Sequence, residues 1–225
     1  AGRSAVSGTT DGYPSVPHER LESSGWKLHS KTTETVFRIP TATVTGNALV
    51  YGDAELQAAM AAAGVEGLLA SSGNGDGHLV DTDDSLWRFF FATALSFQPS
   101  LPPVVGAVSI RPMVAREARQ SFIDDLEARG FERVEDGASQ RLRTESGDRA
   151  RLRKITATFP IDVTGDLDRI GVEGWIAVWD VNGSFRIAGG AHPVDGVDVL
   201  LASLPDTERP STDPRQFREE LLESI

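Results

Sequence analysis

The stretch Leu86 to Phe97 constrains this chain more than any other. Trp87, Phe89, Phe91, Leu95 and Phe97 alternate onto one side of an extended backbone, while Phe90, Ala92 and Ala94 make the other side nearly as apolar. Successive side chains of a strand point to opposite faces, so a segment greasy on both sides must be covered twice. It is expected to be an interior strand of a sheet with helices packed on it. A chain of 225 residues is long enough for that, because folding at this size buries roughly 70% of the unfolded surface.

The covering helices are legible. Asp53 stands at an N-cap ahead of Ala54 to Ala63, with Leu56, Ala59, Met60 and Ala63 on one side and Gly64 at the stop. Pro112 suits a first helical position, and Val114, Ala118, Phe122 and Leu126 recur at every fourth residue up to Arg129. Gly130 then supplies a left-handed cap, with Phe131 placed for the accompanying apolar contact. Asp213, Pro214 and Gln216 open a last helix with Phe217, Leu221, Leu222 and Ile225 on its buried side.

Strands are expected at Thr33–Ile39, Thr41–Thr45 and Ala48–Tyr51, with Gly46-Asn47 as a tight turn. More follow at 131–135, 138–145, 149–159, 171–180 and 184–189, the last two joined by Asn182-Gly183, a strong hairpin signal. The sum is α+β, a mostly antiparallel sheet of about six or seven strands covered by helices. One domain spans 25–225. Residues 1–24, rich in Ser, Gly, Pro and Thr, read as a flexible tether, and 68–84, with Gly73, Gly75 and Gly77, as a mobile loop.

Charge bounds the partners. Thirty-three acids against 22 bases give a net charge of −11, a poor field for nucleic acid or an anionic membrane. Lysine occurs only at Lys27, Lys31 and Lys154, and an acid surplus with so little lysine is expected of a protein in concentrated salt. No cysteine is present, which excludes disulfides, thiolate metal sites and cysteine nucleophiles. No apolar run reaches the ~20 residues of a membrane-crossing helix. A tether opening on Ala1 is expected of an exported chain whose signal or lipid-anchored cysteine lies upstream. That makes the expected location extracytoplasmic, with membrane contact only through such an anchor.

Little in the sequence carries chemistry. His18, His29, His78 and His192 show no metal-ligand spacing, and there is no nucleophile elbow or phosphate-binding glycine loop. No metal, cofactor or catalytic residue is therefore assigned. His192, expected to close a strand before Pro193, is the one candidate for a hydrolase-like histidine and is more simply a turn residue. Arg88, Glu173 and Arg186, isolated in greasy strands, could form a buried pair, but a strand edge or a solvent face explains each more simply; Trp175 and Trp179 could line a pocket, but are more simply core.

The arginine hairpin is the main candidate site. Arg141 and Arg143 precede Ser146-Gly147-Asp148, and Arg149, Arg151 and Arg153 follow. A two-residue turn would mix Leu142 with Arg151 and Arg153. A three-residue turn at 146–148 pairs Arg143 with Arg151 and Arg141 with Arg153, and gathers Leu142, Thr144, Ala150 and Leu152 on the core side. Five arginines then crowd one face, where opposed like charges repel. Either an anionic ligand is held there, or the chain's own acids, such as Glu145, neutralise them; the second is the simpler explanation.

The strings Trp87-Arg88-Phe89-Phe90-Phe91-Ala92-Thr93, Ser146-Gly147-Asp148-Arg149-Ala150-Arg151-Leu152, Val172-Glu173-Gly174-Trp175-Ile176-Ala177-Val178-Trp179 and Ile187-Ala188-Gly189-Gly190 resemble an uncharacterised family of haloarchaeal proteins. Many of its members look like secreted lipoproteins, which implies an extracytoplasmic place but transfers no site residue. The element order is also similar to the PsbP-like α/β/α sandwich, which implies a non-enzymatic binding or assembly module. The leading expectation is thus a non-catalytic domain that binds a protein or small ligand. The alternatives are a hydrolase-like enzyme using His192 and an anion-binding module on the arginine hairpin.

Overall fold

A computed structural model describes residues 12–14, 16–63, 87–100, 107–144, 147–161, 169–181, 183–202, 204–205, 213–217 and 219. The expected loop at 68–84, and Leu221, Leu222 and Ile225 of the last helix, lie outside them.

Seven strands form one antiparallel sheet in the order β1-β2-β3-β7-β6-β5-β4. They are β1 (Trp26–Ile39), β2 (Ala42–Asp53), β3 (Phe89–Gln98), β4 (Glu132–Arg143), β5 (Arg149–Pro160), β6 (Arg169–Val181) and β7 (Ser184–Asp195). The helices are α1 (His18–Ser23), α2 (Ala54–Ala62), α3 (Ala107–Ala128) and α4 (Val197–Leu201). The α+β class and the antiparallel sheet are as expected.

The doubly apolar segment lies inside the sheet, as its pattern requires. β3 runs between β2 and β7, and Phe89 to Leu95 are all buried. Phe89, Phe91 and Leu95 enter the larger core with Val114, Ala118, Phe122 and Leu126 of α3. Phe90 and Ala92 point the other way, into a second cluster with Leu21, Trp26, Tyr51, Leu152, Trp175 and Trp179. The two tryptophans are core residues. α3 ends as expected: Gly130 adopts φ +92°, and the Phe131 amide donates to the Leu126 carbonyl at 3.1 Å.

Four local expectations need correction. Gly46-Asn47 is not a turn; the β1–β2 reversal falls at residues 40–41 and β2 runs through unbroken. Gly46 is needed for closeness instead, since a Cβ there would lie 2.7 Å from Thr93 Cγ2 and 2.9 Å from Val36 Cγ1. Pro112 does not open α3 but sits inside it, where one missing hydrogen bond is tolerated because the Val114–Leu126 stripe holds the helix down. The two strands expected at 131–135 and 138–145 are the single bulged β4, with register shifts at Glu132/Glu135 and Asp136/Ser139.

The fourth concerns the amino-terminal segment. Within 1–24 the described part is not free of the domain: α1 buries Leu21 at 2% exposure, and Tyr13 and Val16 pack on the second cluster. A polar segment hid this because one leucine and one histidine do the docking. His18 Nε2 lies 3.1 Å from Glu22 Oε1, and His18 Nδ1 shares a hydrogen bond with the Tyr51 hydroxyl. Burial, and secondarily the Glu22 carboxylate, hold the Tyr51 phenol above its usual range.

Candidate functional site

The β4–β5 hairpin keeps the face assignment expected of it but not the register. Arg143 lies opposite Arg149, and Arg141 opposite Arg151. Relative to a turn at 146–148 the pairing has slipped by two residues, which preserves every side chain's face. Thr144 causes the slip. Its amide donates to the Asp148 carbonyl at 2.8 Å and its carbonyl accepts from Gly147 at 2.8 Å. Its hydroxyl accepts from the Asp148 amide at 3.0 Å, and Gly147 takes φ +91°.

The arginines share a face with the larger core. Arg149, Arg151 and Arg153 alternate into Ile155, Ala157 and Phe159, which lie under α3. Arg141, Arg143, Arg149 and Arg151 are nonetheless exposed, standing beyond the area α3 covers. Backbone pairing places them at the tightest spacing available. Thr144 bonds inward to β5, so Leu142 and Gln140 do too, and rungs 143/149 and 141/151 are the non-hydrogen-bonded kind, with Cα atoms about 4.5 Å apart. Two pairs of like charges therefore face each other directly.

Among the described residues, a carboxylate of the chain itself neutralises one of the five. Arg153 Nη1 lies 3.5 Å from Asp136 Oδ1, whose other oxygen is 3.1 Å from Arg119 Nε on α3. Arg143 donates to the Gly147 carbonyl at 2.8 Å. Among the described residues, Arg141, Arg143, Arg149 and Arg151 form no ion pair with a carboxylate. Glu145, the acid expected to serve them, lies outside the described residues.

A second constellation brings together residues that the sequence offered only singly or as a less favoured buried pair. On the opposite face, at the other end of the strands, one row crosses the sheet: Trp26 lies opposite Asp53, His192 opposite Glu173, and Glu173 opposite Thr156. Arg88 completes the row between β2 and β7, its carbonyl accepting from the Asp53 amide at 3.1 Å. Its guanidinium donates to Asp53 Oδ2 at 2.9 Å and lies between two rings, 4.4 Å from Trp26 and 4.3 Å from Phe217. Asp53 Oδ1 accepts from the Leu56 amide at 3.1 Å, so the same carboxylate caps α2 as expected.

Arg88 and Glu173 are therefore not solvent-facing: they are 6% and 3% exposed. Arg186 is also half-buried on interior strand β7, and burial lowers its guanidinium pKa. His192 does not close its strand either; it is fully buried within β7. Its Nε2 lies 3.9 Å from Glu173 Oε1, and the other Glu173 oxygen is 3.3 Å from Lys154 Nζ. Phe217 stacks edge-on to the imidazole at 6.0 Å. A histidine beside a carboxylate is what hydrolytic chemistry would need. Here both are interior, and an aromatic ring and a lysine cover them.

The signal for this row was present in the sequence. Glu173 and His192 occupy strands apolar on both faces and Arg88 directly precedes one, and such strands offer no solvent face for a lone charge.

Among known families, residues 13–225 match the model of a domain of unknown function, DUF6517. The match takes in α1 and the segment before it. No curated protein matches the chain, and no solved structure matches it.

Proposed function

This chain belongs to the DUF6517 family, a domain of unknown function, and on the geometry above we propose that it is a non-catalytic binding domain whose arginine ladder receives an anionic partner. One contrast carries the proposal. The histidine and carboxylate that a hydrolase reading would use, His192 and Glu173, are interior and engaged with neighbours. The four ladder arginines are exposed and lack a carboxylate among the described residues. Guanidinium groups stay charged at any working pH, and their planar forks suit carboxylate or phosphate oxygens.

We further take the domain to work outside the cytoplasm, held by an N-terminal anchor. The acid surplus, the three lysines and the resemblance to haloarchaeal secreted lipoproteins support that setting. Strong salt there would shorten the reach of the ladder's charge to a few ångströms, about 3 Å at 1 M, so recognition would depend on direct contact.

Binding of fluorescent poly-L-glutamate tests the proposal. The native chain should bind it in low salt, and the double variant Arg141→Gln/Arg151→Gln should bind at least about tenfold more weakly, a loss of ~1.4 kcal/mol. His192→Gln, with a native circular dichroism spectrum, should bind as the native chain does. Equal binding by the double variant would remove the ladder from the function. Lost binding in a folded His192→Gln would return attention to the buried row.

A further inference from the structure

We infer that the ladder recognises its partner by strand addition: an acidic, alternating peptide segment pairs with the outer edge of β4, placing carboxylates over Arg141 and Arg143. This deepens the proposed function and rests on it. β4 is the last strand of the sheet, and its residues 139–141 and 143 are exposed. Because Thr144 bonds inward to β5, alternation turns the N–H and C=O groups of Ser139, Arg141 and Arg143 outward. Among the described residues no strand pairs with this edge, and the outward-turned backbone includes the two residues whose side chains carry the charge.

The arginines have a competing explanation, since charges on an edge strand commonly discourage unwanted pairing. That accounts for Arg141 and Arg143 alone. Arg149 and Arg151 lie on β5, which β4 flanks on one side and β6 on the other, so they guard no edge. They stand directly behind the β4 arginines, doubling the charge an incoming strand would meet. The bulges of β4, at Glu132/Glu135 and Asp136/Ser139, confine the regular edge to 139–143. That is room for a short segment and not for a long sheet extension.

The side-chain period sets the partner's pattern. Residues of an added strand facing Arg141 and Arg143 lie two apart on one face, and the residue between them lies on the side of Leu142, which packs on the second cluster. The preferred segment reads acidic–apolar–acidic. Its main-chain bonds give affinity and its carboxylates give selectivity.

Three synthetic peptides of equal charge test this on the full chain: an alternating Glu/Val peptide, the same peptide with alternate backbone amides N-methylated, and one with its glutamates in a single block. Strand addition predicts that the first binds at least about tenfold tighter than the other two. It also predicts that amide hydrogen exchange at Ser139, Arg141 and Arg143 slows by a similar factor on saturation. Equal binding of all three, with exchange unchanged, would overturn strand addition and leave the ladder as a simple anion site. Failure of all three to bind in low salt would overturn the ladder's role itself.

Discussion

Replacing Arg88 with alanine is expected to cost about 3–5 kcal/mol of folding stability, the usual result of breaking a buried ion pair from one side. Asp53 would keep its bond to the Leu56 amide, 3.1 Å away, but its other oxygen would lose a charged donor now at 2.9 Å. The Trp26 and Phe217 rings would also lose the guanidinium packed between them, a further contact of about 1–2 kcal/mol when desolvated. The double variant Arg88→Met/Asp53→Ser should recover much of the loss, because serine keeps the helix cap and no charge is left uncompensated. Urea denaturation checks this. A loss below about 1 kcal/mol for Arg88→Ala would mean that Asp53 does not depend on this partner.

Gly189→Ala is expected to be comparably severe, by about 3 kcal/mol or more. Gly189 pairs with Ile176 between β6 and β7, and an added Cβ would lie 2.2 Å from the Trp175 carbonyl oxygen and 3.1 Å from Ile176 Cα. Both are backbone atoms of an interior strand, so relief requires the strands to part. Gly25→Ala is the control. Its φ of +88° strains a side chain, but nothing lies within 4 Å of the new methyl, so the cost should stay near 1–2 kcal/mol. Similar losses for both would show that the β6–β7 contact yields more easily than the geometry implies.

Much of the scaffold was legible because its signals are local. β3 announced its interior position through Phe89, Phe90 and Phe91, and α3 its buried side through Val114, Ala118, Phe122 and Leu126. Gly130 announced the cap. The reversal from β6 to β7 was equally plain: Val181 lies opposite Ser184, and Gly183 takes φ +84°. What was not legible depends on register. Asp53, Glu173 and His192 sit on three strands, Arg88 directly precedes a fourth, and they meet only because of how those strands align, which no spacing along the chain records. The ladder falls between these cases. Patterning of Leu142, Ala150 and Leu152 gave the faces, but Thr144 closes its own side-chain loop and shifts the partners by two. Local polarity also misled at α1, where a segment composed like a tether docks through Leu21 and His18.

The claim that the ladder holds uncompensated charge is tested most directly by the stability of Arg141→Gln/Arg151→Gln as salt is varied. Removing one directly opposed rung should raise the unfolding free energy in low salt by about 0.5 kcal/mol, and the gain should vanish near 1 M, where screening silences the repulsion. A variant less stable than the native chain in low salt would show that these arginines already have partners within the fold, and would contradict the account.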